Sequence, residues 1–263
     1  MKQKNAILII DGQFDFCDPK GSLYVGGAED DMKRVGAFIT KNESNLDFIG
    51  LTMDSHQVID ISHPSFWINK DGKNPDPFTI ITTSDVMSGV WTPRFAPTAA
   101  IRYIEELEKQ GEFPHCIWPE HCVIGTKGAS FVDSIMIPIQ EWCRNTNSFY
   151  QVVTKGTYPI TEHFGAFRAN IPVEGHSETQ LNFGLIKKLE EFDNIYFAGE
   201  ASSHCVATTL KQAMEFPELV KKFVILTDCM SPVTGFEHIA DSIYDDAKKI
   251  GVRFEKSTDI TFK

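Results

Sequence analysis

The chain has 263 residues, 42% of them hydrophobic, and a formal net charge of -11. That is enough apolar material for one large α/β domain or two small ones, and the acidic balance argues against non-specific binding to nucleic acid or an anionic membrane surface, which needs basic groups. No apolar run approaches the ~20 residues needed to span a bilayer. The N-terminal MKQKNAILIID is too short in apolar residues for a secretory signal, and the cysteines at 17, 116, 122, 143, 205 and 229 form no CxxC pair. A cytoplasmic protein is expected, with neither a disulfide framework nor a zinc ribbon.

Ala6 to Ile10 is a continuous apolar run ending at Asp11, the pattern of a central parallel strand. GQFDFCDPKGSLYVGG follows as loop. A helix is predicted from about Ala28 to Lys41, with Met32, Val35, Phe38 and Ile39 inward. Phe48 to Met53 reads as the second strand, ending at Asp54. From Ser55 to Pro97 the sequence is irregular, with a small strand expected at Ile80 to Thr83. Helices are predicted over Thr98 to Lys109, stopped by Gly111, and over about Ser130 to Cys143, with Pro138 as a kink. Tyr150 to Thr154 is a strand that ends at Lys155. Ser177-Glu178-Thr179-Gln180 has the form of a capping box opening a helix that buries Leu185 and Leu189. Ile195 to Ala198 is a strand, Phe223 to Leu226 another and Val252 to Phe254 a weak last one. A helix carries Ile239, Ile243, Ala247 and Ile250. Strands alternating with helices mean a parallel sheet covered on both faces.

Cys205 sits where the strand Ile195 to Ala198 turns into a helix marked by Val206, Leu210, Ala213 and Met214. Ser202 or Ser203 is expected to cap that helix. Its free amides and positive dipole end favour a thiolate, which makes Cys205 a candidate nucleophile with an exposed sulfur. A buried, inert cysteine is the competing reading. In open parallel sheets ligands bind at the carboxyl ends of strands. Four strands here end in reactive residues: Asp11, Asp54 with His56, Lys155, and the turn to Cys205. Asp11 suits a general base if burial raises its pKa, and Lys155 suits a counter-charge for the thiolate. Asp54, His56 and His121, with His63 less certain, suit a divalent transition metal: Zn2+ first, with Mn2+ or Fe2+ as alternatives. His115, His163, His176, His204 and His238 read as structural or exposed.

Five motifs carry a resemblance: IIDGQFDFCDPKGSL, TMDSH, WPEHCVIGTKGASF, VVTKGTY and AGEASSHCV. In this order they resemble the nicotinamidases within the isochorismatase-like cysteine hydrolases, from Ile9 to Val206. The resemblance implies a single isochorismatase-like domain over residues 1–263. It is a three-layer α/β sandwich with a mainly parallel sheet of about six strands, carrying an insertion at about 64–113. It implies an Asp11, Lys155, Cys205 triad, and an oxyanion hole from the backbone amides of Ala201 and Cys205 beside a cis Glu200–Ala201 peptide. It also implies Phe16 and Trp118 on the two faces of the substrate ring, and a metal on Asp54, His56 and His121 that takes the ring nitrogen. The activity implied is hydrolysis of nicotinamide to nicotinate and ammonia through a thioester, in NAD salvage. Ser203 stands where the family has an acid, Glu200 stands where it is usually apolar, and the insertion is long. These departures bear on the substrate, so another amide or carbamoyl compound is the second reading. An insertion of this kind could form a lid or a subunit contact, which leaves a homo-oligomer open. No GxGxxG follows the first strand, against a dinucleotide-binding module.

Overall fold

The computed structural model describes residues 3–262. Its main sheet is built from β1 (Asn5–Ile10), β2 (Phe48–Asp54), β5 (Gln151–Lys155), β6 (Asn194–Gly199), β7 (Phe223–Leu226) and β8 (Arg253–Glu255). A two-stranded antiparallel patch, β3 (Trp67–Ile68) with β4 (Thr92–Pro93), stands apart from it. The helices are α1 (Phe14–Cys17), α2 (Ala28–Lys41), α3 (Thr83–Met87), α4 (Pro97–Gln110), α5 (Asp133–Thr146), α6 (Phe183–Glu190), α7 (Cys205–Ala213), α8 (Pro217–Val220) and α9 (Asp241–Lys249).

The six strands are all parallel, in the order β5-β2-β1-β6-β7-β8. The chain leaves β1 toward β2 and β5, then returns to lay β6 on the other side of β1. The strand order therefore reverses between β1 and β6, and this is where open α/β sheets bind ligands. Alternation along the strands divides the core. Ile7, Ile9, Leu51, Tyr196 and Val224 pack with Met32, Val35 and Ile139 of α2 and α5. Leu8, Ile10, Phe197 and Ile225 pack with Leu185, Leu189, Val206 and Leu210 of α6 and α7. Apolar groups on both faces of one sheet make three layers, as the sequence indicates. A third cluster, among them Ile61, Phe66, Trp67, Tyr103, Ile104 and Ile117, lies within and beside residues 64–113.

Local details differ from expectation in five places, the first being α1, which lies in the stretch after Asp11 read as loop. Thr83 does not close a strand. Thr82 caps α3 in a reciprocal bond with Asp85, leaving Ile80 a single bridge to Cys116. Ser177–Thr179 forms one 3-10 turn, and the helix begins six residues later, capped by Asn182, whose side chain accepts the Leu185 N–H at 3.0 Å. The helix after Ser130 begins at Asp133. Ile239 and Ile250 fall outside α9, and Ile250 is exposed, because only Ala247 of that helix is buried. None of the described helices is long and apolar enough to cross a membrane.

Candidate active site

Register places the reactive residues together. Asp54 pairs with Lys155 across β2 and β5, and Ile10 pairs with Gly199 across β1 and β6. Asp11 and the Cys205 turn therefore leave adjacent strands at the reversal point. Gly199 has φ +124°, and a Cβ there would stand 2.1 Å from the Ile10 carbonyl oxygen, so only glycine lets β6 pass so close to β1.

Lys155 lies at the centre, 1% exposed, with Nζ 2.9 Å from Asp11 Oδ2, 3.1 Å from Asp54 Oδ1 and 3.7 Å from Cys205 Sγ. Burial opposes its charge, but the Asp11 and Asp54 carboxylates outweigh that and hold it well above its usual pKa. Burial raises the Asp11 carboxyl, against the pull of Lys155. Its Oδ1 accepts the Thr52 hydroxyl at 2.6 Å, while Oδ2 has no hydrogen bond of ordinary geometry among the described residues. That oxygen faces the Lys155 ammonium at 2.9 Å.

Cys205 corrects the sequence reading. Its sulfur is buried rather than exposed, and burial pushes the thiol well above its usual pKa despite Lys155, with the Asp11 charge adding to the rise. Burial and the Asp11 charge thus favour the thiol, against the thiolate expected from the helix dipole. Neither serine caps α7. His204 occupies the cap position with no side-chain cap, and Ser203 Oγ is taken by the Val233 N–H at 3.0 Å and by His204 Nδ1 at 2.9 Å. The Glu200–Ala201 peptide is cis. His204 and Val206 donate to the Ala201 carbonyl, whereas the Ala201 and Cys205 N–H groups have no acceptor among the described residues.

Asp54, His56 and His121 bring one donor atom each within 4.8 Å of one another. His56 Nε2 lies 3.1 Å and His121 Nε2 3.7 Å from Asp54 Oδ2. The other ring nitrogens are engaged: His56 Nδ1 is 3.1 Å from Asp60 Oδ2, and His121 Nδ1 is 2.8 Å from the Pro119 carbonyl. Both rings thus turn Nε2 toward the carboxylate, the arrangement a tetrahedral or octahedral cation needs from imidazole. Burial would raise the Asp54 carboxyl, but His56 and Lys155 outweigh it and hold it well below the usual range. His63 stands beside this group, with Nε2 3.4 Å from His121 Nδ1; burial lowers its pKa to about 3.

A cleft opens over Cys205, Ala201, Asp54 and His121, with Phe16 and Trp118 in its walls. Phe164 and His204 extend the aromatic lining, and their ring centroids lie 5.4 Å apart. Four contributors were not legible from the sequence. Thr52 holds Asp11. Asp60 holds His56. Gln13 clamps the end of β2, donating to the Asp54 carbonyl at 2.8 Å and accepting the Asp54 N–H at 2.7 Å. Glu162 lines the cleft with its Oε1 unpartnered among the described residues, and burial, ahead of the opposing His56 charge, raises its pKa to about 8. A buried strand's Thr and a carboxylate six residues past a ligand carry no motif of their own. Only the D-x-H context pointed near them.

No family model matches the chain. It is 24% identical over 242 residues to the nicotinamidase of Saccharomyces cerevisiae, covering 92% of this chain and 94% of that protein. It is 28% identical over 229 residues to the nicotinamidase/pyrazinamidase of Mycobacterium tuberculosis, covering 87% and 89%. The yeast nicotinamidase structure superposes with a TM-score of 0.65 at 21% identity, covering 95% of this chain and 99% of that one. The pyrazinamidase of Pyrococcus horikoshii in complex with zinc superposes with a TM-score of 0.57 at 19% identity, covering 96% and 99%. The fold is the isochorismatase-like α/β fold of these structures. In sequence it resembles the nicotinamidases over most of its length.

Proposed function

We propose that the protein hydrolyses nicotinamide to nicotinate and ammonia with Cys205 as nucleophile. The observation that carries this reading is the contact of Lys155 Nζ with Asp11, Asp54 and Cys205 in one buried cluster below an aromatic-walled cleft. Asp11, with its raised pKa, takes the thiol proton as Cys205 attacks the amide carbon. The Ala201 and Cys205 N–H groups hold the oxyanion. The C–N bond breaks, and Asp11 returns the proton to the leaving ammonia. Asp11 then takes a proton from water, which attacks the thioester, and the product acid and free thiol are regenerated. Lys155 stays charged throughout and keeps Asp11 in line with the sulfur. Phe16 and Trp118 position the ring. Asp54, His56 and His121 would hold a divalent ion, Zn2+ first, with Mn2+ or Fe2+ as alternatives, which when bound supplies a Lewis acid to the ring nitrogen. We read residues 1–263 as one domain, with residues 64–113 inserted beside the cleft. A role in NAD salvage follows from the same substrate.

The Glu162 Oε1, unpartnered among the described residues and in the cleft, favours a second reading, an amide or carbamoyl substrate with another polar group. Ammonia release from an amide panel decides between them. Fastest turnover of nicotinamide, abolished in Cys205→Ser, is expected. No release from nicotinamide by the metal-loaded protein would overturn the first reading.

A further inference from the structure

Glu200 places a carboxyl next to Ala201, at a position the resemblance makes apolar. It is fully buried. Its Oε2 accepts the Ser231 N–H at 3.1 Å, and its Oε1 has no partner of ordinary geometry among the described residues. Asp31 of α2, 2% exposed, comes within hydrogen-bond reach of this carboxyl. Asp31 is itself satisfied: Oδ1 accepts Arg34 Nη2 at 2.5 Å, and Oδ2 accepts the Ser231 hydroxyl at 2.5 Å. Arg34 Nε is taken by the Asp228 carbonyl. Ser231 therefore joins two buried carboxyls, its N–H on Glu200 and its hydroxyl on Asp31, and the neighbouring cation, Arg34, is already engaged on Asp31. Such a contact is attractive only when one carboxyl holds a proton.

The same side chain anchors a turn held by backbone bonds. Glu200 N donates to the Ile10 carbonyl at 2.9 Å, Gly199 N to Cys229 at 3.0 Å and Ser202 N to Ser231 at 2.9 Å. The Tyr244 hydroxyl donates to the Ser202 carbonyl at 2.6 Å.

We propose that Glu200 is a positioning residue for the oxyanion site: its carboxyl stays protonated, donates to Asp31 and accepts from Ser231, and so fixes the turn that presents the Ala201 N–H. This rests on the role given above to that N–H. Burial, then the Asp31 charge, raises the Glu200 pKa well above the usual carboxyl value. The titratable and charged groups facing it are Asp31 and Arg34 from α2, Cys17 from α1 and Tyr244 from α9. Arg34 is the one cation among them, and it opposes the rise without cancelling it.

The test uses the full chain with its metal, and two variants. Glu200→Gln keeps a donor for Asp31 and an acceptor for Ser231. Glu200→Val removes both. With nicotinamide as substrate, Glu200→Gln is expected to keep kcat within about twofold and Glu200→Val to lose about tenfold or more, with KM little changed, because one displaced oxyanion donor acts on the transition state. Affinity for pyridine-3-carbaldehyde, whose thiol adduct carries the oxyanion, should fall in parallel. A Glu200→Val kcat within twofold of the parent would overturn the positioning role. A second arm needs no turnover: denaturant unfolding of the parent and Glu200→Gln across pH 5 to 8. The unfolded Glu200 ionises near 4.5, whereas on this proposal the native one keeps its proton. The parent should therefore lose stability relative to Glu200→Gln as pH rises, by up to about tenfold in the unfolding constant per pH unit. A ratio that does not move with pH means an ionised Glu200 and overturns the proposal. If the parent releases no ammonia, the amidase reading falls, and the unfolding arm alone decides on the proton.

Discussion

Lys155 and Asp11 pull the Cys205 proton in opposite directions. Burial is the first cause of the raised thiol pKa; Lys155 lowers it and the Asp11 charge raises it. Asp11→Asn removes the raising charge and leaves Lys155 3.7 Å from the sulfur. The thiolate fraction at fixed pH should then rise, and labelling of Cys205 by iodoacetamide, followed by mass spectrometry, should quicken severalfold. Nicotinamide turnover should fall by about 10³-fold, because the proton carrier is gone. Labelling and turnover that fall together would mean that Asp11 acts by generating the thiolate alone. Glu162 gives a second prediction. Its pKa of about 8 means a neutral carboxyl in the cleft below that pH and an added negative charge above it. Inhibition by nicotinate, an anion, should weaken between pH 7 and 9 in the parent and stay level in Glu162→Gln; the inhibition constants at the two pH values check it. The contrast between these residues explains what was legible. Asp11, Lys155 and Cys205 follow apolar runs and so announce the ends of strands. Glu162 lies in an irregular stretch with no period, and its place in the cleft depends on how that stretch packs.

At the level of elements, the site exists because β1, β2, β5 and β6 end on one edge and the strand order reverses between β1 and β6. The order of apolar runs made the sheet readable, since parallel strands buried on both faces leave nearly continuous hydrophobic segments. Helix starts were less readable. Ser177 to Gln180 matches a capping box in letters, yet Asn182 makes the cap bond. The strands β3 and β4 have two residues each, too few to carry a period. The loop after β2 shows how an irregular segment orients a strand-end group. Asp60 Oδ1 accepts the Ser62 N–H at 3.1 Å and hydroxyl at 2.9 Å, which leaves Oδ2 for His56 Nδ1. Asp60→Ala frees the His56 ring, and affinity for Zn2+, measured by competition with a chromogenic chelator, should drop about 10- to 100-fold. An unchanged affinity would mean that the ring is held by packing alone.

Across the molecule, the three apolar clusters divide the work between chemistry and access. Asp11, Lys155 and Cys205 stand on or after strands that the two sheet clusters cover, and Trp118 packs in the first of these but directly follows Ile117, which belongs to the third. Trp118 N donates to the Ser62 carbonyl at 2.8 Å, Ile117 N to Thr79 at 2.9 Å and Ile81 N to His115 at 2.9 Å. Ile104 of α4 is 1% exposed in that third cluster, beside Tyr103 and Leu107. Ile104→Ala should cost about 2–5 kcal/mol where the cluster cannot collapse onto the cavity. The loss should be local, because α4 packs chiefly against α3 and β4. Amide hydrogen exchange should therefore speed up over residues 61–117 while β1 and β6 stay protected. A loosened Trp118 wall should raise KM for the amide, and kcat should hold because Asp11, Lys155 and Cys205 keep their geometry. Exchange that rose equally in β1 would show instead that residues 64–113 and the sheet unfold as one cooperative unit, and KM and kcat would then decline together.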